Sequence, residues 1–222
     1  MNKRLTIAQQ VFINIQEDII KGNIKDGEII TERSLEQRYQ VSRTPIKEAL
    51  KLLESEGWVE ITPRYETRVT CFGTAEISET LPIRIAMEGL AVKLCIQNMN
   101  EAKKNDFIDL LTKLDGLRCK IEESDPDCLA AYNKLDNKFH TMICRYSDNR
   151  ILINFNTKLS SMFKRIYRNI MLDSMRIKTG SEEVMAIIRY ILENDAMMAE
   201  AAMTLHIINS INQKLYALGE KK

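Results

Sequence analysis

Several features that are typical of fibrous, low-complexity, membrane-spanning or exported proteins are scarce in this sequence. The 222 residues include 8 glycines and 4 prolines, too few for a collagen-like or low-complexity chain. Charged residues interrupt each apolar run well before the roughly 20 residues that a membrane helix needs, and the N-terminus lacks the apolar core of a signal peptide. We therefore expect a soluble, cytoplasmic globular protein without a membrane partner.

Cysteine usage and net charge exclude further classes of protein. The 5 cysteines are an odd number, and none belongs to a Cys-x-x-Cys pair of the kind that zinc and redox sites use. We expect them to be reduced thiols. The net charge is +1, and residues 1–72 carry 11 basic and 11 acidic side chains. Any binding to nucleic acid must therefore depend on a few well-placed cations and not on bulk charge.

The N-terminal third has the pattern of a helix-turn-helix. A capping box at the start of 6–21 predicts a first helix, and 31–39 forms a short second one. For the third helix we predict Thr44 as the N-cap, Pro45 as the first helical residue and Gly57 as the stop. Its apolar positions fall on one face, as in a recognition helix.

After this helix the apolar period changes from helical to two. Alternation over 58–62 and again over 68–72 predicts two strands, and the bend between them contains Arg64. A helix-turn-helix followed by such a β-hairpin is a winged helix. We therefore predict a winged helix-turn-helix domain at 1–72.

The rest of the chain is helical in pattern. We predict a linker at 73–77 and a separate all-helical bundle at 78–222, so that the fold class is mainly α with one small hairpin. The predicted helices lie near 76–98, 101–123, 127–147, 149–174, 181–193 and 195–217, and one break is placed at 178–180.

Residues at the start of the third helix have the chemistry that DNA reading requires. In a helix-turn-helix this end of the recognition helix enters the major groove, where Arg43 can bind guanine O6 and N7 in a bidentate manner. Phosphates suit Lys47 and Arg33, and the hairpin can reach the backbone or a minor groove. The predicted DNA-binding residues are Arg33, Ser42, Arg43, Thr44, Lys47, Arg64 and Arg68.

Three segments of this region resemble the GntR family of bacterial regulators. They are Glu-Arg-Ser-Leu at 32–35, Val-Ser-Arg-Thr-Pro-Ile-Lys-Glu-Ala-Leu at 41–50 and Leu-Glu-Ser-Glu-Gly at 53–57. Two positions depart from the family pattern: Tyr65 replaces the usual wing-tip glycine, and Lys47 replaces an arginine. The lysine keeps the charge and loses the bidentate fork.

The helical region resembles the effector domain of the FadR-type subgroup of that family. The segments that carry this resemblance lie at 84–88, 136–140, 147–149, 194–195 and 201–206. The resemblance implies a domain that dimerises and often holds a metal ion or an organic acid. It also implies a homodimer that binds a near-palindromic, double-stranded DNA operator.

The chain has 2 histidines, and the resemblance places both at metal-ligand positions. Asp136 and His140 lie one helical turn apart, and His206 belongs to a stripe that should face the interior of the bundle. The family pattern is one aspartate and three histidines, and Val184 occupies the remaining position. A divalent ion such as zinc bound by Asp136, His140 and His206 is one interpretation; hydrogen-bonded core histidines without metal are the other.

The effector site is predicted to consist of Arg84, Asp136, His140 and His206. Arg84 can clamp a carboxylate of the effector; alternatively, it forms an ion pair with Glu88 one turn away. The predicted function is a ligand-responsive transcriptional regulator, acting as a repressor, whose effector is a small organic acid. Two alternatives remain: a metal-dependent enzyme in the helical region and an architectural DNA-binding protein without an effector.

Overall fold

The computed structural model describes residues 5–63, 65–71, 74–121, 127–167 and 174–219. The chain divides into two units: Met1–Gly73 with Met162–Arg168, here called the N-terminal unit, and Thr74–Ser161 with Asn169–Lys222, here called the helical unit. Within the described ranges, no helix is both long enough and apolar enough to cross a membrane.

The N-terminal unit is the predicted winged helix-turn-helix. Its elements are α1 (Ile7–Lys21), β1 (Ile29–Ile30), α2 (Glu32–Tyr39), α3 (Arg43–Ser55), β2 (Val59–Thr62) and β3 (Glu66–Val69). The strands form an antiparallel sheet in the order β1-β3-β2, with Val59 opposite Val69 and Ile30 opposite Thr67. The sequence predicted only the hairpin, because two residues of β1 are too few to show a period.

The first two helices of this unit begin at capping boxes, whereas the N-cap of the third makes no side-chain capping hydrogen bond. The predicted capping box between Thr6 and Gln9 is present, and Thr31 caps α2 in the same manner. The predicted start of α3 is wrong: Ser42 is the N-cap, and the helix begins at Arg43. Pro45 is thus the third helical residue, where it is still tolerated because the first backbone N–H groups of a helix have no intrahelical partner.

A single apolar core holds the N-terminal unit together. The inward face of α3 meets α1, α2 and the sheet around the fully buried Trp58. The buried residues of this core are Val11, Ile15, Ile19, Ile24, Ile30, Leu35, Ile46, Ala49, Leu50, Leu53, Trp58, Val59 and Val69. Burial of this face fixes the opposite, polar face of α3 toward solvent.

The helical unit contains α4 (Thr74–Gln97), α5 (Glu101–Ile121), α6 (Asp127–Tyr146), α7 (Arg150–Tyr167) up to Ser161, α8 (Ser174–Leu192) and α9 (Ala196–Gly219). Its order of helices agrees with the prediction, but two details differ. Helix α4 begins inside the segment 73–77 that was predicted as a linker. The predicted break at 178–180 is wrong, because α8 continues through Gly180.

Gly180 has a packing role inside α8. A Cβ atom at this position would lie 2.2 Å from the hydroxyl oxygen of Tyr132 on α6. The glycine therefore permits the tyrosine to approach the helix backbone and does not end the helix. The sequence suggested a break because a glycine that ends a helix cannot be distinguished, in the sequence, from one that allows close packing within a helix.

Candidate functional sites

The first turn of α3 presents a polar surface. Ser42, Arg43, Thr44 and Lys47 are all exposed, whereas Ile46 on the same turns is fully buried. The apolar face of the helix thus holds it in the core while the predicted DNA-reading side chains point outward. Arg33, on α2, is exposed as well.

One carboxylate serves both cations of this surface. Glu32, the first residue of α2, forms an ion pair with the Arg43 guanidinium and lies 4.0 Å from the Lys47 ammonium nitrogen. The Arg43 side chain remains 67% exposed. Ion pairs as exposed as these contribute little to stability, so the two cations can exchange Glu32 for a phosphate or a base at small cost.

The wing is arranged differently from the recognition helix. The Arg68 guanidinium donates to Glu66 at 2.9 and 3.1 Å and to the Gly27 carbonyl oxygen at 3.0 Å. Its contribution to DNA binding would require release from these partners. Arg64 lies outside the described residues, and Tyr65 beside it is 88% exposed.

A cluster of charged side chains lies in the interior of the helical unit, centred on Asp136. Asp136 and His140 occupy successive turns of α6, and α9 contributes His206. Asp136 Oδ1 is 3.3 Å from His206 Nε2 and 3.8 Å from His140 Nε2. The two imidazole rings are stacked with their centres 5.3 Å apart. The structure thus brings together the three residues that were predicted as metal ligands.

On one side of Asp136, α4 supplies an arginine and a glutamate. Arg84 Nε donates to Glu88 Oε1 at 2.6 Å, which confirms the predicted alternative of an ion pair one turn apart. The other Glu88 oxygen pairs with His140 Nδ1. Arg84 also donates an Nη2 hydrogen to His140 Nε2, 3.2 Å away. Because arginine can only donate, His140 accepts at Nε2 and carries its proton at Nδ1.

On the other side, α8 supplies the same pair of residue types. Glu183 Oε2 lies 2.8 Å from His206 Nδ1, and its Oε1 accepts from Arg176 at 2.9 Å and from Asn209 at 2.8 Å. Two Arg–Glu–His chains, Arg84–Glu88–His140 and Arg176–Glu183–His206, therefore converge on Asp136. We call these seven side chains the convergent cluster.

Both glutamates of the convergent cluster are ionised. Burial alone would raise the pKa of Glu88, but Arg84 and His140 outweigh it and hold the pKa at about 2. Burial opposes ionisation of Glu183 as well, and its hydrogen bonds to His206 and Arg176 lower its pKa to about 2. Apart from the two imidazoles, the cluster contains three carboxyl groups and two guanidinium groups, so its acidic groups outnumber its guanidinium groups by one.

This charge and geometry fit a cation near Asp136. The ionised Glu183 accepts a hydrogen bond from His206 Nδ1, and His206 Nε2 faces the Asp136 carboxylate. A proton or a metal ion is needed between these two acceptors. Burial alone would lower the pKa of His206, but Asp136 and Glu183 raise it above its ordinary value.

The donor atoms also lie close enough together for small side-chain movements to bring them around a small divalent ion. One atom each from Asp136, His140 and His206 lie within 4.8 Å of one another. Zinc binds imidazole nitrogen and carboxylate oxygen at about 2.0–2.2 Å, which places neighbouring donors roughly 3–3.5 Å apart. Val184, at the position of the usual third histidine, is fully buried. Two nitrogens and one oxygen therefore fit such an ion once Arg84 releases His140 Nε2, with further coordination positions left for water or effector oxygens.

Sequence reasoning did not identify Glu88 as a histidine partner, and it missed Arg176, Glu183 and Tyr132 altogether. The Tyr132 hydroxyl donates to Asp136 at 3.3 Å. A signal was nevertheless present, because Arg176 and Glu183 are seven residues apart, two helical turns, next to Ile177 and Val184 on the buried side of α8. Charges placed among core positions indicate a paired, interior role.

Each of the two units matches a known protein family. The family model described as "Bacterial regulatory proteins, gntR family" matches residues 7–69, and the model described as "FCD domain" matches residues 79–209. An uncharacterized HTH-type transcriptional regulator of Bacillus subtilis, YdhC, is 32% identical over 145 residues. That match spans 65% of this chain and 62% of the Bacillus protein.

Two further matches extend over nearly the whole chain. The gluconate operon transcriptional repressor of Bacillus licheniformis is 27% identical over 202 residues, which cover 90% of this chain and 77% of the relative. The solved structure of Escherichia coli McbR/YncC superimposes with a TM-score of 0.77 at 19% identity, covering 96% of this chain and 99% of that one. The second match supports the fold alone.

Proposed function

The chain belongs to the GntR family of bacterial regulatory proteins and carries an FCD domain, and on that premise we propose that it is a cytoplasmic, ligand-responsive transcriptional repressor. The observation that carries the proposal is the exposed first turn of α3, where Arg43 and Lys47 share the carboxylate of Glu32. The metal-dependent enzyme that the sequence left open has no support in a family of regulatory proteins.

The proposed DNA-binding form is a homodimer on a near-palindromic operator. Two-fold related recognition helices would enter successive major grooves, with Arg43 and Thr44 at base edges and Ser42, Lys47 and Arg33 at phosphates. Arg64 and Arg68 of the wing are the proposed peripheral contacts. Helix α7 supports pairing, because Ile151 and Phe155, one turn apart, are 68% and 57% exposed.

The proposed sensory site is the convergent cluster. Asp136, His140 and His206 would hold a divalent cation such as zinc, and Arg84 would face the carboxylate of an organic acid. Val184 has no atom that can bind a metal ion, so the cation would keep coordination positions free. Oxygens of the effector could bind the positive charge there. Gluconate is the probe we select, because one relative is named as a gluconate operon repressor.

The effector acts only if it distinguishes two arrangements of the DNA-reading helices. A ligand that binds both arrangements equally shifts nothing. We propose that the acid favours the arrangement with lower operator affinity, as expected for induction of a repressed gene.

The proposal is tested by operator selection followed by affinity measurement. The zinc-loaded full chain is used to select duplexes from a random library, and fluorescence anisotropy then compares the selected near-palindrome with a scrambled duplex, with and without gluconate. We expect a preference of at least roughly 10³-fold for the selected duplex. Equal affinity for both duplexes would make the protein an architectural DNA binder, and no effect of gluconate or related sugar acids would remove that effector class.

A further inference from the structure

Glu183 makes more hydrogen bonds than a simple counter-ion of His206 would need. Oε2 faces His206 Nδ1, Oε1 accepts from Asn209, and Arg176 Nη1 lies 2.9 Å from both oxygens. Each of these contacts is 2.8 or 2.9 Å long. The carboxylate is therefore fixed from the side opposite the imidazole.

We infer that Glu183 is a positioning residue of the proposed cation site, which keeps the proton of His206 on Nδ1 and leaves Nε2 available to bind the ion. This inference rests on the proposed cation site. It adds a role for a residue of α8 that supplies no donor atom itself. Arg176 and Asn209 support the role by holding the carboxylate in place.

The mirror arrangement at His140 shows what such a partner does. There the ionised Glu88 accepts from Nδ1, and the acceptor character of Nε2 is established by the Arg84 hydrogen that points at it. His206 has the same chain of residue types on its Nδ1 side, and its Nε2 faces Asp136. A buried glutamate, Glu88, and a half-buried one, Glu183, thus direct two imidazole nitrogens to the same carboxylate, the arrangement that orients histidine ligands in metal sites.

The proposed role of Glu183 is especially important in this chain because position 184 is a valine. With Val184 in place of a third imidazole, the proposed site has only two nitrogen donors. Loss of one Nε2 lone pair through a change of tautomer would remove half of them. The neighbouring glutamate therefore protects a ligand that the site cannot replace.

Substitution Glu183→Gln separates positioning from packing. The amide keeps the shape of the carboxylate but has one accepting oxygen. That oxygen will face Asn209, since the opposite orientation would place the NH2 group against the Asn209 donor, whereas Arg176 Nη1 lies 2.9 Å from both carboxylate oxygens and favours neither orientation. The NH2 group then donates to His206 Nδ1, so the imidazole proton moves to Nε2, where it donates to Asp136 and occupies the metal-binding lone pair.

The experiment uses the full chain with 15N-labelled histidine. Because the chain contains 2 histidines, nitrogen NMR resolves both rings, and His140 serves as an internal reference. We expect His206 to be protonated at Nδ1 in the wild type and unprotonated there in Glu183→Gln. Calorimetric titration with zinc should show roughly 10- to 100-fold weaker binding by the variant, the range for loss of an outer partner of a metal ligand.

Two variants serve as controls. Glu182→Gln makes the same change at the adjacent, exposed position and should leave both measurements unchanged. Glu183→Asp keeps a carboxylate and should retain the Nδ1 proton, even if the shorter side chain lowers stability. Circular dichroism shows whether each variant retains the helical fold.

The outcomes distinguish the inference from the proposed function. Zinc affinity of Glu183→Gln within about twofold of the wild type, with the Nδ1 proton retained, would overturn the inference. If wild-type protein takes up no zinc, the cation site fails, but the Nδ1 proton of His206 still decides the role of Glu183. Loss of that proton in Glu183→Gln, but not in Glu182→Gln or Glu183→Asp, would support the role of Glu183 in orienting His206.

Discussion

The charged side chains of the two candidate sites differ in their exposure to solvent. On α3, Arg43 and Lys47 are exposed and share one carboxylate, Glu32. In the convergent cluster, arginines, glutamates and histidines are largely buried and linked to one another through hydrogen bonds. Exposed pairs add little to stability and exchange partners readily, whereas a buried charge without its partner is costly. The first arrangement suits binding to DNA, and the second suits recognition of a small ion or acid.

The largest expected difference is in stability, between removal of a buried and of an exposed glutamate. Glu88→Ala leaves Arg84 and His140 without their carboxylate, and should lower the free energy of unfolding of the helical unit by about 3–5 kcal/mol. Glu32→Ala, the matched change on the surface, should cost the N-terminal unit at most about 1 kcal/mol. Urea denaturation measures both. Equal losses would remove the contrast between the two regions.

The next effect concerns binding alone. Arg43→Ala should reduce discrimination between operator and scrambled duplex by about 1–3 kcal/mol, roughly 5- to 150-fold, because its base contact is lost. Lys51→Ala, an exposed cation one turn beyond Lys47, is the control. Anisotropy titrations with both duplexes provide the measurement. An equal fall in affinity for the two duplexes would assign Arg43 to the phosphates instead.

Gly180→Ala tests how tightly the buried region is packed. The added methyl group would collide with Tyr132, whose hydroxyl donates to Asp136, and should destabilise the helical unit by about 1–3 kcal/mol. Gly116→Ala on α5 has open space around the new Cβ and should stabilise the unit by up to about 1 kcal/mol. Thermal melts of the two variants should therefore shift in opposite directions. A shift in the same direction would contradict the packing role of Gly180.

The smallest expected effect is at Lys47. Replacement by alanine should reduce the slope of log affinity against log salt concentration by about one unit, because one phosphate contact and its released counterion are lost. Affinities measured between low and moderate salt give the slope. An unchanged slope would exclude a phosphate contact and indicate that Lys47 remains with Glu32 in the complex.

The comparison also explains what could be read from the sequence. Local signals such as the Thr6–Gln9 capping box depend on residues three apart, and they predicted helix starts well. The start of α3 was misassigned by two residues, because Ser42 and Thr44 have similar capping chemistry. The ligand-like residues Asp136, His140 and His206 were identified through family resemblance and spacing.

The partners of those residues could not be predicted in the same way. Glu183 and His206 are 23 residues apart and lie on different helices. Their contact depends on how α8 packs against α9, which no local period encodes. The continuation of α8 through Gly180 likewise depends on Tyr132 of another helix, and so the sequence suggested a break.

The most direct test of the proposed cation site is the metal content of the purified protein. Wild-type protein and Asp136→Ala are loaded with zinc, dialysed extensively, and subjected to elemental analysis. Our account predicts close to one zinc ion per wild-type chain and almost none in the variant, because Asp136 is the donor on which both imidazoles converge. Equal zinc content in the two proteins, or none in the wild type, would contradict it.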